Sequence, residues 1–298
     1  MIFTWAHSQN SSEKKEQIDY SSFSDDQLLD QFKIENWSKL EESDRIDVIQ
    51  EMENRNAAQQ GREPAEVVSS SRVTSYGSYN SMNNQMNVNV NNFSSYETMD
   101  TFVHESNHAY QAHCVENGVG YDEYTRNMIE VESMRDENGA LYNYARTSPQ
   151  YDMQCNELDS NNRAAEFLIS ESDRYKTDQE YKDYIAERDG HFKVVNYALD
   201  NYQGIRTSMQ NDQAYASYVR GDISQEQYDN LSAGINNSNY VDSTVTESHS
   251  LGESLSDLNA ELNYLNDMDN EASIDADTST TTDAGIDNGE SEDNSVTY

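Results

Sequence analysis

His104-Glu105-Ser106-Asn107-His108 constrains this chain more than any other stretch, because its two histidines can serve one metal ion only if the segment is helical. Residues four apart on an α-helix project from the same face, so His104 and His108 can grip a single cation together. Glu105 then sits one step round, beside the open coordination position. Zinc lowers the pKa of a water there from about 15.7 to about 7, and a neighbouring carboxylate can take the released proton. With six histidines and 28 glutamates in 298 residues, chance composition supplies roughly 0.01 matches to such a pattern. Thr101, Phe102 and Val103 before it, Ser106 and Asn107 inside it, and Ala109 and Tyr110 after it are uncharged, and none is proline.

Two histidines leave a third ligand to be found. The longer motif HExxHxxGxxH fails here, since Gln111 stands in place of the glycine and Cys114 in place of the third histidine. His113 lies next to that position but points about 100° away round a helix, which makes it a surface or supporting histidine. A better source lies downstream, in a second helical stretch from Asn156 to Leu168 with Glu157 near its start. Glu157 can complete a two-histidine, one-glutamate zinc site. Asp159 is the competing carboxylate in the same segment, and acids in a helix's first turn also have an ordinary electrostatic reason to be there. Asn161, one turn beyond Glu157, is placed to hydrogen-bond a ligand histidine and fix its ring and tautomer, with Asp159 as the other candidate for such support.

His104-Glu105-Ser106-Asn107-His108-Ala109-Tyr110-Gln111 resembles the HExxHAYQ helix of bacterial gluzincin-type metallopeptidases. The later run Glu157-Leu158-Asp159-Ser160-Asn161-Asn162-Arg163-Ala164-Ala165-Glu166 is similar, without gaps, to the ExEANxFAAE segment of ImmA/IrrE-like peptidases. It departs from that pattern at Ser160, where alanine is usual, and at Arg163, where phenylalanine is usual. The stretch from about Trp37 to Val67 also resembles the helical lead-in of zincin-like proteins found with phages, mobile elements and polymorphic toxins of Gram-positive bacteria. The resemblance covers roughly residues 25–170. It implies a zincin-like fold, a zinc ion held by His104, His108 and Glu157, and a supporting asparagine at Asn161.

Composition sets the outer limits. Only 35% of the residues are hydrophobic and the mean hydropathy is −0.98, too polar for the whole length to pack as one core. Nineteen basic against 56 acidic residues leave a formal charge of −37, with no Lys or Arg after Arg220. That charge argues against nucleic-acid or anionic-membrane binding and favours basic substrates or plain solubility. Cys114 and Cys155 flank the two ligand segments and read as buried thiols rather than a disulfide framework. The first ten residues lack a basic start followed by an apolar run, and no stretch is long and apolar enough to span a membrane. A cytoplasmic protein is expected, with export by a signal-independent route as the alternative.

The elements expected along the chain are mostly helical. Residues 1–20 read as a loose tail. Ser24-Asp25-Asp26-Gln27 opens a helix, and a second runs from about Ser43 to Gly61, with Pro64 just beyond. Met86, Val88 and Val90 alternate with Asn87, Asn89 and Asn91 as in a half-buried strand, and Tyr76-Gly77-Ser78-Tyr79 is its hairpin partner across Asn83-Asn84. Beside a metal helix, such a strand can pair with an extended peptide. The metal helix should run from about Tyr96 to Glu116, followed by helices over about 121–144, 156–171, 177–200 and 206–219, and one capped by Ser224-Gln225-Glu226-Gln227. His191 reads as a structural or surface histidine. Beyond about Asn236 the composition is of the disordered type, broken by Leu251, Leu255, Leu258, Leu262 and Leu265, a short seam over 251–268 able to contact the body or a partner helix.

The expected architecture is therefore α+β: a mostly helical, zincin-like metallopeptidase domain over 21–235 with a small antiparallel sheet, its metal site within 96–170, and an acidic disordered tail over 236–298. The expected activity is zinc-dependent hydrolysis of peptide bonds in a protein or peptide substrate, with Glu105 as general base. Two other readings stand beside it: a secreted zincin toxin or effector with the same chemistry, and a non-catalytic interaction protein on a degenerate zincin fold.

Overall fold

The computed structural model of the chain describes residues 18–69, 76–134 and 149–237, with backbone alone for 149–150, 191–206 and 236–237. All of these belong to one of two compact units, Met1–Asn259, while the second, Ala260–Tyr298, lies outside them. So do the leucine seam and most of the acidic tail. The observed order is α1 (Asp25–Leu29), α2 (Ile34–Trp37), α3 (Glu42–Gln60), β1 (Glu66–Ser69), β2 (Gly77–Asn80), β3 (Gln85–Val88), α4 (Ser95–Asn117), α5 (Glu123–Ser133), α6 (Pro149–Asp152), α7 (Cys155–Ser170), α8 (Ser172–Tyr175), α9 (Gln179–Arg220) and α10 (Gln225–Asn237).

Helix boundaries follow local chemistry. Ser24 and Gln27 form a reciprocal capping box at the start of α1, and Ser224 and Gln227 form another at the start of α10. α3 ends where Gly61 turns left-handed, with φ 69°. α4 is capped by Ser94 and Glu97 and stops at Gly118 in the same left-handed conformation. Tyr20, expected in a loose tail, is instead buried in a 3-10 turn, its ring 5.1 Å from that of Phe23.

The sheet is small and mixed. β2 and β3 form the expected antiparallel hairpin, with Asn84 at φ 48° in its turn. The third strand, β1, pairs with β3 in parallel, so the order is β1-β3-β2 and the sheet is not wholly antiparallel. Its outer edge is occupied by one side chain: Gln50 accepts from the Val67 amide at 2.8 Å and donates to the Ala65 carbonyl at 3.0 Å. Met86, Val88 and Val90, the apolar half of the alternating run, are fully buried.

α4 runs through the middle of the body, packed against α7, α5, α3, β2 and β3. Tyr96, Met99 and Phe102 on it have no exposed surface. Around its start three tyrosine rings, Tyr96, Tyr175 and Tyr181, meet at 5.1–5.7 Å. Each hydroxyl finds an acceptor, at Asp178, the Leu29 carbonyl and the Leu168 carbonyl respectively, so these rings bury area without stranding a donor. Behind the sheet, Glu53 of α3 and Arg62 form a fully enclosed bidentate pair at 2.5 and 3.1 Å. Ser106 of α4 donates to the same carboxylate at 2.8 Å, and the Ala65 amide does so at 2.9 Å.

α9 is one continuous helix of 42 residues, not the two expected. Gly190 and Gly204 lower helix propensity by about 1 kcal/mol each but, unlike proline, leave every backbone donor in place. Arg188 on it reaches Asp100 of α4 at 3.1 Å and the Asn161 carbonyl of α7 at 3.0 Å. Farther along, Ala214 joins Met128, Ile129, Val131, Cys155, Leu231 and Ile235 in a second buried cluster. α5 stops at Ser133, and the rest of the helix expected to Tyr144 falls outside the described residues. No described helix is long and apolar enough to cross a membrane.

α10 seats against α5 through Gly234, where an added Cβ would run into the Tyr124 ring. An exposed Gly→Ala change in a helix gains about 1 kcal/mol, whereas the overpacking here costs about 1–3 kcal/mol. Gly234→Ala should therefore lower the urea midpoint of unfolding instead of raising it.

Candidate metal centre

The centre is assembled where α7 crosses α4. His104 and His108 lie one turn apart on α4, with Nε2 atoms 3.0 Å apart and rings edge to face at 4.7 Å between centroids. Glu157 enters from the first turn of α7, where the helix dipole favours a carboxylate. Its Oε2 stands 3.2 Å from His104 Nε2 and 3.6 Å from His108 Nε2. The three atoms thus form a triangle with sides of 3.0, 3.2 and 3.6 Å. Tetrahedral coordination at ligand distances of about 2.0–2.1 Å requires edges of about 3.3 Å, so the donor set fits one tetrahedral cation without rearrangement. Among the described residues, this is the one group of three histidine, cysteine or carboxylate side chains that could hold a metal ion.

Asp159, the competing carboxylate, is not in that group. Its Oδ2 faces away from the triangle and collects three donors: Asn107 Nδ2 at 2.8 Å, Gln111 Nε2 at 2.9 Å and the Tyr121 hydroxyl at 2.6 Å. Asn161 is half-buried, and no hydrogen bond from its side chain to a histidine occurs among the described contacts. Its carbonyl accepts from Arg188 instead. The oxygens beside His108 Nδ1 belong to Gln111, at 2.9 Å, and Ser160, at 3.3 Å. Ser160 is the very position where the resemblance would have an alanine, which cannot hydrogen-bond. Cys114 and Cys155 are buried thiols, and His113 contacts the Asn117 side chain on the surface.

Tyr151, in α6, donates its hydroxyl to Glu157 Oε1 at 2.7 Å and so leaves Oε2 as the oxygen facing the histidines. Nothing in the sequence singles it out from the other twenty tyrosines. Its neighbour Asp152 has its carboxyl pushed up to about 7, by burial first and then by the charge of Glu157, against His104 and Arg188.

Glu105 is buried beneath β2. Burial pushes its carboxyl up, while His104, His108 and a hydrogen bond from the Tyr79 backbone amide pull the other way. The close approach of strand to helix depends on Gly77. A Cβ there would lie 2.8 Å from the Asn87 carbonyl and 3.3 Å from Glu105 Cγ, and would press on the Thr101 methyl. In the β2–β3 ladder the Asn89 amide bonds the Tyr76 carbonyl at 3.0 Å. Ladder bonds alternate along an antiparallel strand, so the backbone groups of Gly77 and Tyr79 lie on the outer edge of β2, toward Glu105.

The carboxylates around His108 favour its protonated form. Burial alone would lower the His108 pKa, but the carboxylates of Glu157 and Glu105 push it up to about 9. Burial likewise opposes the charge on Glu157, yet the two histidines hold its carboxyl well below the usual range. The His108 proton stabilises the metal-free fold fully below the ordinary 6.5, and that contribution is lost as pH rises through about 9. Metal binding must displace the same proton. Apparent affinity for a divalent cation, measured against a competing chelator, should rise about tenfold per pH unit as pH climbs toward the His108 value and then level off.

No family model, no curated protein and no solved structure matches the chain.

Proposed function

We propose that this protein is a zinc-dependent metallopeptidase. The observation that supports the reading most strongly is the triangle of His104 Nε2, His108 Nε2 and Glu157 Oε2, with a raised, buried carboxyl at Glu105 one residue from the first ligand. These three atoms would hold the ion. When bound, zinc supplies the Lewis acidity that brings the pKa of a water to about 7 and polarises a carbonyl.

The chain's own groups account for the rest. Tyr151 restrains Glu157 through the oxygen that does not face the histidines. Glu105, its basicity raised by burial, suits proton transfer near neutral pH. It would take a proton from the attacking water as the new C–O bond forms, then return it to the departing amine as the C–N bond breaks. β2 is an edge strand of the sheet, and an extended peptide would run along it past Glu105. The charge of −37 favours basic over acidic chains as that peptide.

Glu105→Gln keeps the three donor atoms and removes the base. Cleavage of a quenched-fluorescent peptide library by the purified zinc-loaded protein is expected to fall by about 10²–10⁴-fold, with bound zinc per chain unchanged. Undiminished cleavage by this variant would place the hydrolytic centre elsewhere.

A further inference from the structure

We propose that Asp159 is a positioning residue for the metal centre, acting through Gln111 to decide which ring nitrogen of His108 carries a proton and which is bare. The inference rests on the metal-binding reading above and deepens it.

Asp159 Oδ2 and the Asn156 carbonyl oxygen can only accept hydrogen bonds, and each lies 2.9 Å from Gln111 Nε2. The two N–H groups of the Gln111 amide are therefore committed to them, and its Oε1 must face the other way. Oε1 stands 2.9 Å from His108 Nδ1. An amide oxygen facing a bare ring nitrogen would set two lone pairs against each other, so Nδ1 carries the proton. In the neutral ring the remaining nitrogen, Nε2, then presents its lone pair toward His104 Nε2 and Glu157 Oε2, as a metal ligand must. Ser160 Oγ, 3.3 Å from Nδ1 and accepting from Asn107 Nδ2 at 3.1 Å, can either donate or accept and leaves the assignment to Gln111.

The carboxylate is itself fixed. Besides Gln111 it receives Asn107 and Tyr121, and Arg163 stands 3.7 Å from its other oxygen. Gln111 lies three residues beyond His108, on the same face of α4, and Asp159 lies two beyond Glu157 on α7. One helix thus carries both the third ligand and the acid that orients the second. The amide between them passes on an acceptor as an acceptor, so an anion four atoms removed dictates a tautomer without placing a second charge on the imidazole.

The test uses the full chain, with zinc alone as the ligand. Asp159→Asn removes one of the two obligatory acceptors and leaves the Asn156 carbonyl alone to hold the Gln111 amide in its orientation, while Gln111→Met keeps length and flexibility and removes the amide. Each is expected to weaken zinc binding about 10–100-fold in chelator competition. The spectroscopic readout is the His108 Nδ1 proton, seen as a slowly exchanging signal in long-range 1H–15N spectra of the zinc-loaded wild type. It should exchange rapidly in both variants. Wild-type affinity together with an unchanged Nδ1 proton in either folded variant overturns the proposal. Circular dichroism identifies a variant that does not fold, and the other then carries the test. A wild type that binds no zinc brings down the metal reading itself, a result distinct from variants that bind as well as the wild type.

Discussion

The enclosed pair between Glu53 and Arg62 underlies the arrangement of everything near the middle of α4. A buried carboxylate and guanidinium are tolerated only when both are fully engaged, and here they are. The carboxylate also receives the Ala65 amide that leads into β1 and the Ser106 hydroxyl between the two histidines. Arg62 in turn donates to both the hydroxyl and the carbonyl of Ser106. Loss of one partner strands a buried charge at a cost of about 3–5 kcal/mol, a large share of the 5–15 kcal/mol that typically separates folded from unfolded domains. The pair therefore sets where the sheet stands relative to α4, and with it where β2 lies over Glu105.

Charge makes the centre able to hold a cation. Glu105, Glu157 and Asp152 gather around two imidazoles in a region from which water is largely removed. Part of the resulting strain is relieved by keeping Asp152 and Glu105 easier to protonate, and part by a proton on His108. A divalent ion would replace that proton with two charges and satisfy Glu157 directly. The tyrosine beside it contributes a neutral donor and adds no further charge.

Much of this was legible in the residues, for identifiable reasons. The spacing of His104 and His108, the capping pairs at Ser24 and Ser224, and the alternation from Met86 to Val90 are local signals, and the structure has a helix or strand at each. Glu157 could be named because a ligand on a separate helix still needs a carboxylate near a helix start. β1 was hidden because Glu66-Val67-Val68-Ser69 is too short to display a period, and its parallel pairing with β3 is a long-range choice. The gap expected between residues 200 and 206 is absent, since Gly204 weakens a helix without removing a backbone donor. The partners of His108 went to Gln111 and Ser160 because the crossing of α7 over α4, which no local pattern encodes, decides which residues of α7 face the imidazole. Tyr151 was invisible for the same reason.

At Gly77 bare main chain, with no side chain between, rests on Thr101 and Glu105. The hairpin consequently has no adjustable spacer separating it from the helix below. Tyr76, Ser78 and Asn80 alternate to the opposite face of the hairpin, so substitutions there leave the clearance above that carboxyl unchanged. The far face of the hairpin is thus free to vary, while the headroom over Glu105 is fixed by backbone alone.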